Sequence, residues 1–424
     1  MTKWAESLNK DLEKSVIDKV LSKYGKNIYL PKGIIVQGAD AKGKRYNATI
    51  GIATDHGNPM HMDSIKSCFN PSMRDSELFP YMPSLGKPEL RNAWKDEMIY
   101  KNPSLKGKTF ALPFVTSGLT HALYTVASLF LDKNDTIIMP HLYWENYDLI
   151  FKEHIGAKIK TFVMFKNGKF NTQGLEEAID KTNKSKVTIL LNFPNNPTGY
   201  TLSESEQKDV IKLLNKKATN EKKLVVISDD AYFSLFFEKG IAKESLFAHI
   251  VDLNKNLLAI KCDAATKEEM VWGFRLGFIT FGYKGISEKE ITALTNKFAG
   301  AIRGCISNCS TPGQNILYKT MTSPTYHEDK KKGVEVIKER YEALKKELDL
   351  HKNDKRLLPL AFNSGYFMSF EVKNEKAEDL RQRLLNEYDL GAIAVGDKYL
   401  RIAFSSIDKE DIHEVVERIY KASC

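Results

Sequence analysis

The chain has 424 residues, 42% of them hydrophobic and 28% charged, which is ordinary for a soluble globular protein of two or three domains. Its formal net charge of +9 comes from lysines spread along the chain, without the basic block that nucleic-acid binding needs, so we expect no nucleic-acid partner. The five cysteines form an odd set with neither paired spacing nor a zinc pattern. We therefore expect a reduced, cytoplasmic protein without a metal site.

The N-terminal region predicts one amphipathic helix, because Trp4, Leu8, Leu12, Val16 and Val20 recur every fourth residue. Acidic and basic residues alternate through this stretch, unlike a secretory signal or a transit peptide. The apolar runs of the chain are too short to span a bilayer, so we expect no membrane partner.

Strand-like and helical patterns alternate from about Phe110 to Phe281. The predicted strands are Thr136–Met139, Lys158–Met164, Val187–Asn192, Leu224–Ser228, Leu257–Lys261 and Phe278–Phe281, and the helices between them include Leu119–Leu131, Leu175–Ile179 and Ser205–Leu214. Such alternation predicts an α/β fold whose mostly parallel sheet is flanked by helices on both faces. The carboxyl ends of its strands then share one edge, where ligands bind.

After about residue 320 the pattern changes to a smaller α+β unit. A long helix through Val334 and Leu348 is followed by the strands Tyr366–Val372 and Tyr399–Phe404 and the helices Leu380–Tyr388 and Ile412–Tyr420. We predict three segments: residues 1–60 as an N-terminal arm and part of the small domain, 61–320 as the large domain, and 321–424 as the C-terminal small domain.

Four polar residues follow predicted strands in an informative order. Lys267 opens the pattern Lys-x5-Gly-x-Arg-x-Gly, Asp229 and Tyr232 stand in Asp-Asp-Ala-Tyr, and Asn196 stands in Asn-Asn-Pro-Thr-Gly. A lysine, a carboxylate, a phenol and an amide at strand ends are what a chain needs to hold pyridoxal phosphate. The set resembles the fold-type-I aminotransferases of the aspartate aminotransferase superfamily, which implies a large domain with a seven-stranded-type sheet and the smaller α+β domain.

The chemistry of the cofactor gives two of these residues a role. A buried lysine loses its proton readily enough to form a Schiff base with an aldehyde, which favours Lys267 over an ordinary surface lysine. The ring nitrogen must stay protonated and needs a buried carboxylate, which favours Asp229 over a helix N-cap. Lys261 lies within a strand at the wrong distance from Arg275, and Asp230 would point to the other face.

The resemblance implies further cofactor contacts. They are Tyr232 and Asn196 at the phenolic oxygen, Gly118, Leu119, Thr120 and Arg275 at the phosphate, Trp144 stacked on the ring, and Tyr81 reaching the phosphate of a neighbouring subunit in a homodimer. A plain turn, a capped helix and a core tryptophan remain alternatives for Asn196, for Gly118–Thr120 and for Trp144. Relatives often place a phosphate-binding Ser where Ala264 stands here, and Thr266 is a possible substitute.

The resemblance also implies substrate contacts at Arg401, Gly51, Asn196 and Arg303. Arg401 and Gly51 occupy the places that face the substrate's α-carboxylate, although a surface strand arginine is an alternative for Arg401. Arg303 lies in a segment resembling Arg-x3-Ser-Asn, whose arginine crosses the dimer interface to a side-chain carboxylate. A structural or interface arginine is the alternative for Arg303.

We therefore expect a pyridoxal-phosphate-dependent aminotransferase that acts on an amino acid and a 2-oxo acid. Glutamate and 2-oxoglutarate are expected as one pair, with aspartate or an aromatic amino acid as the partner substrate. A pyridoxal-phosphate-dependent carbon–sulfur lyase or decarboxylase is the nearest alternative. A regulatory protein that binds the cofactor without turnover is the alternative from another class.

Overall fold

The structure is a computed structural model that describes residues 2–13, 15–29, 33–70, 73–220 and 222–424. A seven-stranded sheet lies at its centre. The strands are β1 Phe114–Thr116, β2 Thr136–Pro140, β3 Lys158–Phe162, β4 Lys186–Asn192, β5 Lys223–Asp229, β6 Leu257–Ala264 and β7 Gly277–Gly282.

The strand order across this sheet is β1-β7-β6-β5-β4-β2-β3. Strand β7 runs antiparallel to β6 and β1, and the other neighbours are parallel. Asp229 at the end of β5 pairs in register with Asn192 of β4 and with Cys262 of β6, so these strands end close together. The predicted mostly parallel sheet is confirmed.

Helices cover both faces of the sheet. Along the sheet-forming part of the chain they are Pro88–Lys101, Gly118–Phe130, Thr172–Asp180, Glu204–Thr219, Leu246–Ile250, Ala265–Glu268, Glu288–Cys305 and Thr311–Met321, with a π-helix at Asp148–His154 and 3-10 turns at Pro103–Leu105 and Trp272–Phe274. On β5, Val225 and Ile227 belong to one buried cluster while Leu224 and Val226 belong to another, because successive side chains point to opposite faces. The strands are therefore apolar on both sides.

A second, antiparallel sheet follows in the C-terminal part. Its strands are β8 Leu357–Pro359, β9 Phe367–Val372, β10 Ile393–Val395 and β11 Tyr399–Ala403, in the order β8-β9-β11-β10. The helices Tyr326–Leu350, Ala377–Glu387 and Ile412–Ala422 and the 3-10 turns Phe404–Ser406 and Lys409–Asp411 accompany it.

Short elements complete the fold. Two-residue strands pair Tyr46–Asn47 with Leu390–Gly391, Thr54–Asp55 with Asn58–Pro59, and Phe165–Lys166 with Lys169–Phe170. The first of these ladders pairs residues 46–47 with the segment that directly precedes β10. The domain boundaries and the cytoplasmic location stay predictions. Within the described ranges, every helix is too short or too polar to cross a bilayer.

The prediction of a single N-terminal helix is wrong. The chain forms two helices, Lys3–Leu12 and Val16–Val20, and then Lys23–Asn27, Ile34–Asp40, Asp63–Lys66 and Asp75–Leu78. The first helix ends because Glu13 is extended, with ψ 139°. A strict four-residue spacing turns by about 40° per repeat around a helix, so over four repeats the apolar stripe drifts by about 160°. One straight helix cannot keep that stripe on one face, and Val20 is 72% exposed.

Candidate active site

One cavity with a volume of about 160 Å³ opens where β4, β5 and β6 end. Ten of the thirteen predicted site residues line it: Gly51, Leu119, Thr120, Trp144, Asn196, Asp229, Tyr232, Lys267, Arg275 and Arg401. Gly118 lies directly behind this lining, against Arg275. The strand ends therefore bring together residues that lie up to 350 positions apart, from Gly51 to Arg401.

Asp229, the last residue of β5, forms a buried acceptor at the base of the cavity and is 1% exposed. Its Oδ2 accepts a hydrogen bond from the Tyr147 hydroxyl at 2.5 Å. Its Oδ1 accepts from Asn192 Nδ2 at 3.2 Å and from the Ala231 N–H at 3.1 Å. Burial nevertheless raises the pKa of this carboxyl to about 6, since the low-dielectric surroundings penalise the charged form. A cation brought to Asp229 would restore the ionised form.

Asp230, the next residue, is directed elsewhere, as alternation along an extended chain requires. It accepts hydrogen bonds from Ser245 Oγ at 2.6 Å and forms an ion pair with Lys261 Nζ at 3.0 Å. Lys261 also pairs with Asp263, and all three charged groups are buried. Both Lys261 and Asp230 are therefore occupied with one another in the core, which leaves Lys267 and Asp229 to the cavity.

Lys267 lies in the four-residue helix Ala265–Glu268 that follows β6. Its Nζ is 4.9 Å from the centroid of the Tyr232 ring. Burial lowers the pKa of the amine from 10.5 to about 8, with Asp229 opposing the change and Arg275 adding to it. About a tenth of the amine is therefore neutral at pH 7, and this form can act as a nucleophile or base.

A cradle for an anion lies at the start of the helix Gly118–Phe130. The side chain of the N-cap residue Ser117 makes no capping hydrogen bond to a described residue, so the N–H groups of Gly118, Leu119 and Thr120 are left for a ligand. Gly118 has φ +76°, and a Cβ there would stand 2.5 Å from Arg275 Nη2. A Cβ on Gly277 would stand 2.5 Å from the Gly118 carbonyl carbon. The two glycines thus let the arginine and the helix start meet, while Thr266 also lines the cavity.

Arg401 forms the other end of the cavity and is 1% exposed. Its Nη1 donates to Asn196 Oδ1 at 3.1 Å and its Nη2 to the Thr49 carbonyl at 2.7 Å. Its Nε is buried without a hydrogen-bond partner among the described residues. Burial lowers the pKa of this guanidinium to about 10. An unpaired donor on a buried cation indicates an anionic ligand.

Aromatic side chains close the remaining walls. The Tyr232 ring meets Phe367 edge-on at 5.4 Å, and the Arg401 guanidinium lies 4.3 Å above the Phe367 ring. Burial raises the pKa of the Tyr232 hydroxyl well above its usual range, so it is a hydrogen-bond donor at neutral pH. Trp144 offers a flat apolar surface beside the Tyr147 ring, at 5.6 Å. The cavity thus suits a flat, anionic ligand.

Two predicted residues lie outside the described lining of this cavity. Tyr81 is 91% exposed. Arg303 is an exposed residue near the end of the helix Glu288–Cys305, and its Nη1 donates to Ser307 Oγ at 2.6 Å. Within one chain neither side chain contributes to the site.

Four further residues line the cavity although no sequence motif gives them a role: Tyr147, Asn192, Phe367 and Ile34. Asn192 carried a usable signal, because it ends a strand beside the strand of Asp229. Tyr147 stands three residues after Trp144 in the same aromatic segment. For Phe367 and Ile34 we find no local pattern that separates them from core residues.

The chain resembles known proteins in sequence. The aspartate aminotransferase of Bacillus subtilis (strain 168) is 30% identical over 217 residues, which are 51% of this chain and 51% of that protein. The probable aspartate/prephenate aminotransferase of Aquifex aeolicus (strain VF5) is 28% identical over 217 residues, which are 51% of this chain and 52% of that protein. The chain therefore spans about half the length of these relatives.

The fold is also shared. The crystal structure of an aminotransferase from Anaerococcus prevotii DSM 20548 superposes with a TM-score of 0.84 at 25% identity, covering 95% of this chain and 99% of the other. This likeness confirms the predicted α/β fold class. Residues 57–419 match the family described as "Aminotransferase class I and II". The chain is therefore a member of the class I and II aminotransferase family, whose members depend on pyridoxal phosphate.

Proposed function

We propose that this protein is a pyridoxal-phosphate-dependent aminotransferase that moves an amino group between an amino acid and a 2-oxo acid. The observation that carries the proposal is one cavity holding a lysine of lowered pKa, a fully buried carboxylate and an uncapped helix start beside an arginine. These groups are separate in sequence and serve no evident common structural purpose. The names of the relatives agree with the proposed reaction.

The residues present fit the cofactor. The N–H groups of Gly118, Leu119 and Thr120 with Arg275 would hold its phosphate, since a helix N-terminus and a guanidinium both favour an anion. Asp229 would pair with the protonated ring nitrogen, which relieves the cost of burying its charge. The wider set would comprise Tyr232 and Asn196 at the phenolic oxygen and Trp144 on the ring face.

In the proposed reaction Lys267 is the acid and base. Pyridoxal phosphate, when bound, supplies the electron sink that lets the substrate's α-carbon release a proton. The Lys267 amine takes that proton and returns it, which its lowered pKa permits near neutral pH. Asp229 keeps the ring nitrogen cationic, and Tyr232 donates a hydrogen bond from its neutral hydroxyl.

Arg401 is proposed to bind the substrate's α-carboxylate. Its buried Nε lacks a partner among the described residues, and the bonds to Asn196 and Thr49 hold the guanidinium plane fixed. Gly51 lies beside this position, where a Cβ would come within 3.4 Å of the Phe367 ring. A side chain at residue 51 would therefore narrow the space that the carboxylate needs.

The proposed assembly is a homodimer in which Tyr81 acts on the neighbouring subunit. Phe69, Phe79 and Tyr81 are 62%, 77% and 91% exposed, and a partner subunit would remove these apolar rings from water. Phe69 meets Phe274 edge-on at 5.8 Å, which puts the Phe69 ring beside the residue that precedes Arg275 of the phosphate cradle. Light scattering should give twice the chain mass of 48.2 kDa.

Subunit mixing tests whether Tyr81 acts in trans. Lys267→Ala and Tyr81→Ala homodimers should each be inactive or strongly impaired. A mixed dimer contains one site with Lys267 from one subunit and Tyr81 from the other, so mixing should restore activity. Mixing that restores nothing, although exchange of subunits is demonstrated, would place Tyr81 in its own subunit's site or outside any site.

Glutamate and 2-oxoglutarate are proposed as one substrate pair, with aspartate or an aromatic amino acid as the other. Arg303 from the partner subunit would bind the side-chain carboxylate, and it is exposed and free of ion pairs among the described residues. Arg303→Ala should raise KM for glutamate by about 100-fold or more, as loss of a desolvated charge partner requires. Alanine, which has no second carboxylate, is the control substrate. Equal increases in KM for glutamate and for alanine would indicate that Arg303 has a structural role.

The reaction itself is tested on purified protein. Borohydride reduction with peptide mapping should find the cofactor on Lys267, and Lys267→Ala should abolish transamination while exposed Lys284→Ala does not. Turnover should require a 2-oxo acid acceptor. Release of pyruvate and ammonia from cystathionine without an acceptor would instead establish the carbon–sulfur lyase.

A further inference from the structure

The backbone of Lys267 is held by the residue that precedes β9 of the second sheet. Tyr366, immediately before β9, is 0% exposed, and its hydroxyl donates to the Lys267 carbonyl oxygen at 3.2 Å. Its ring also meets the Tyr232 ring edge-on at 5.5 Å. Since Lys267 Nζ lies above the Tyr232 ring, Tyr366 supports the lysine directly at the backbone and indirectly under the amine.

The next residue, Glu268, is anchored on the other side. Its Oε1 accepts from Lys101 Nζ at 2.6 Å, from Lys330 Nζ at 2.6 Å and from Ser234 Oγ at 2.9 Å. Lys101 ends the helix Pro88–Lys101, whereas Lys330 lies near the start of Tyr326–Leu350. Three separate parts of the chain thus converge on the residue after Lys267.

These contacts belong to a buried ion cluster. Lys330 also pairs with Glu97 at 3.2 Å and with Glu269 at 3.1 Å, so three carboxylates share two lysines. The Tyr326 hydroxyl donates to Glu269 at 2.9 Å, and His327 lies 3.9 Å from Glu97. Apolar residues of similar volume often stabilise a core as well as or better than such buried charges.

Stability alone is therefore a poor reason for this cluster, whereas the placement of a reacting amine is a good one. An active group must be held within about 0.5 Å of its working position. The helix Ala265–Glu268 has only four residues and cannot hold itself. Its hold comes from Tyr366 on one side and Glu268 on the other.

We propose that Tyr366 and Glu268 are positioning residues that fix the Lys267 amine between Asp229, Tyr232 and Arg275. Among the described residues, the side chains of Tyr366 and Glu268 do not belong to the lining of the cavity, so both residues act through Lys267. The inference rests on the proposed function, because it assumes that Lys267 takes up the cofactor. It adds two residues that no motif of the sequence marks.

Loosening this hold should change the pKa of the Lys267 amine. Burial now lowers the pKa of Lys267 to about 8 against the opposing charge of Asp229, and Arg275 adds to the lowering. A lysine freed to reach water would regain a pKa nearer its usual range. Direct loss of the Glu268 charge would act in the opposite direction, since removing a nearby negative charge lowers a lysine pKa. The sign of the change thus separates positioning from electrostatics.

The test measures the rate at which the full chain, freed of cofactor, takes up added cofactor at a series of pH values. Absorbance reports the uptake. Only the neutral amine captures the aldehyde, so the midpoint of the rate profile reports the Lys267 pKa. Tyr366→Phe removes one hydroxyl, and Glu268→Gln keeps the shape while removing the charge. Each should move the midpoint upward by about half a pH unit or more.

Tyr341→Phe is the matched control, because it removes a buried hydroxyl that donates to Glu238 rather than to the lysine turn. It should lower the melting temperature without moving the midpoint. A wild-type chain that captures no cofactor on Lys267 refutes the proposed function. If wild type captures the cofactor but the midpoint of Tyr366→Phe is unmoved, whatever its melting temperature, the positioning role of Tyr366 is overturned. A downward shift of the midpoint in Glu268→Gln overturns the positioning role of Glu268.

Discussion

The carboxyl group of Asp229 should make the cofactor-free protein lose stability as pH rises. Burial raises its pKa from 3.8 in an exposed aspartate to about 6, although the hydrogen bonds from Tyr147 and Ala231 act in the other direction. The folded protein therefore holds this proton more tightly than the unfolded chain. The contribution is complete below the unfolded pKa and is lost as pH rises through the folded one.

The size follows from the two pKa values. A difference of about 2 pH units, at about 1.4 kcal/mol each, corresponds to about 3 kcal/mol of unfolding free energy. Most of it is lost between about pH 4 and pH 6. Asn at this position fills the same space and cannot ionise, so Asp229→Asn should remove the whole pH-dependent contribution.

Urea unfolding of the cofactor-free chain at pH 4, 5, 6 and 7 measures this directly. The difference in unfolding free energy between wild type and Asp229→Asn should change by at least about 2 kcal/mol over that range. Asp135→Asn is the control, because Lys184 and Lys186 hold the pKa of Asp135 well below its usual range despite its burial. That variant should lose a nearly constant amount of stability above pH 4. Parallel pH profiles for wild type and Asp229→Asn would refute the reasoning.

Three further changes test other parts of the site. Gly118→Ala should weaken cofactor binding by about tenfold or more in absorbance titrations, because the new Cβ would meet Arg275 at 2.5 Å and the residue has φ +76°; an unchanged Kd would contradict the cradle. Arg401→Lys should raise KM for the amino acid by about tenfold or more without weakening the cofactor, since a lysine cannot reproduce the fork; parallel losses of both would argue against a substrate role. Tyr147→Phe removes a hydrogen bond to the ionised form of Asp229 and so raises the folded pKa of that carboxyl further. Its stability loss should therefore continue to higher pH than in wild type, and a loss that is complete at lower pH would contradict the assigned bond.

The sheet was predictable because its central strands are buried on both faces. Such strands read as uninterrupted apolar runs, and β4 and β5 are within one residue of their predicted bounds at each end. Strand β6 was predicted to end at Lys261 but continues to Ala264. Lys261 and Asp263 resemble a polar strand end in sequence, yet they neutralise each other inside the core. A buried ion pair of this kind has no signature in the sequence alone.

The chemical groups of the cavity were predictable from motifs, but the residues that orient them were not. Tyr147 reaches Asp229 across 82 positions, and Tyr366 reaches Lys267 across 99. A tyrosine that donates one hydrogen bond over such a separation looks like any core tyrosine in sequence. Its partner is decided only when the elements that carry the two residues pack against one another.

The two ends of the cavity are joined by a short run of amides. Asn192 donates to the Asp229 carboxylate and carbonyl and accepts from the Asn196 N–H at 2.8 Å. Asn196 in turn accepts from Arg401. A planar amide can donate on one side and accept on the other, which neither a carboxylate nor a hydroxyl of similar size does with fixed geometry. The position of the guanidinium is therefore set relative to the buried carboxylate through β4, independently of the lysine turn on β6. The group proposed to bind the substrate's carboxylate and the group proposed to bind the ring thus share one rigid frame, while the amine that must move a proton is held by a second.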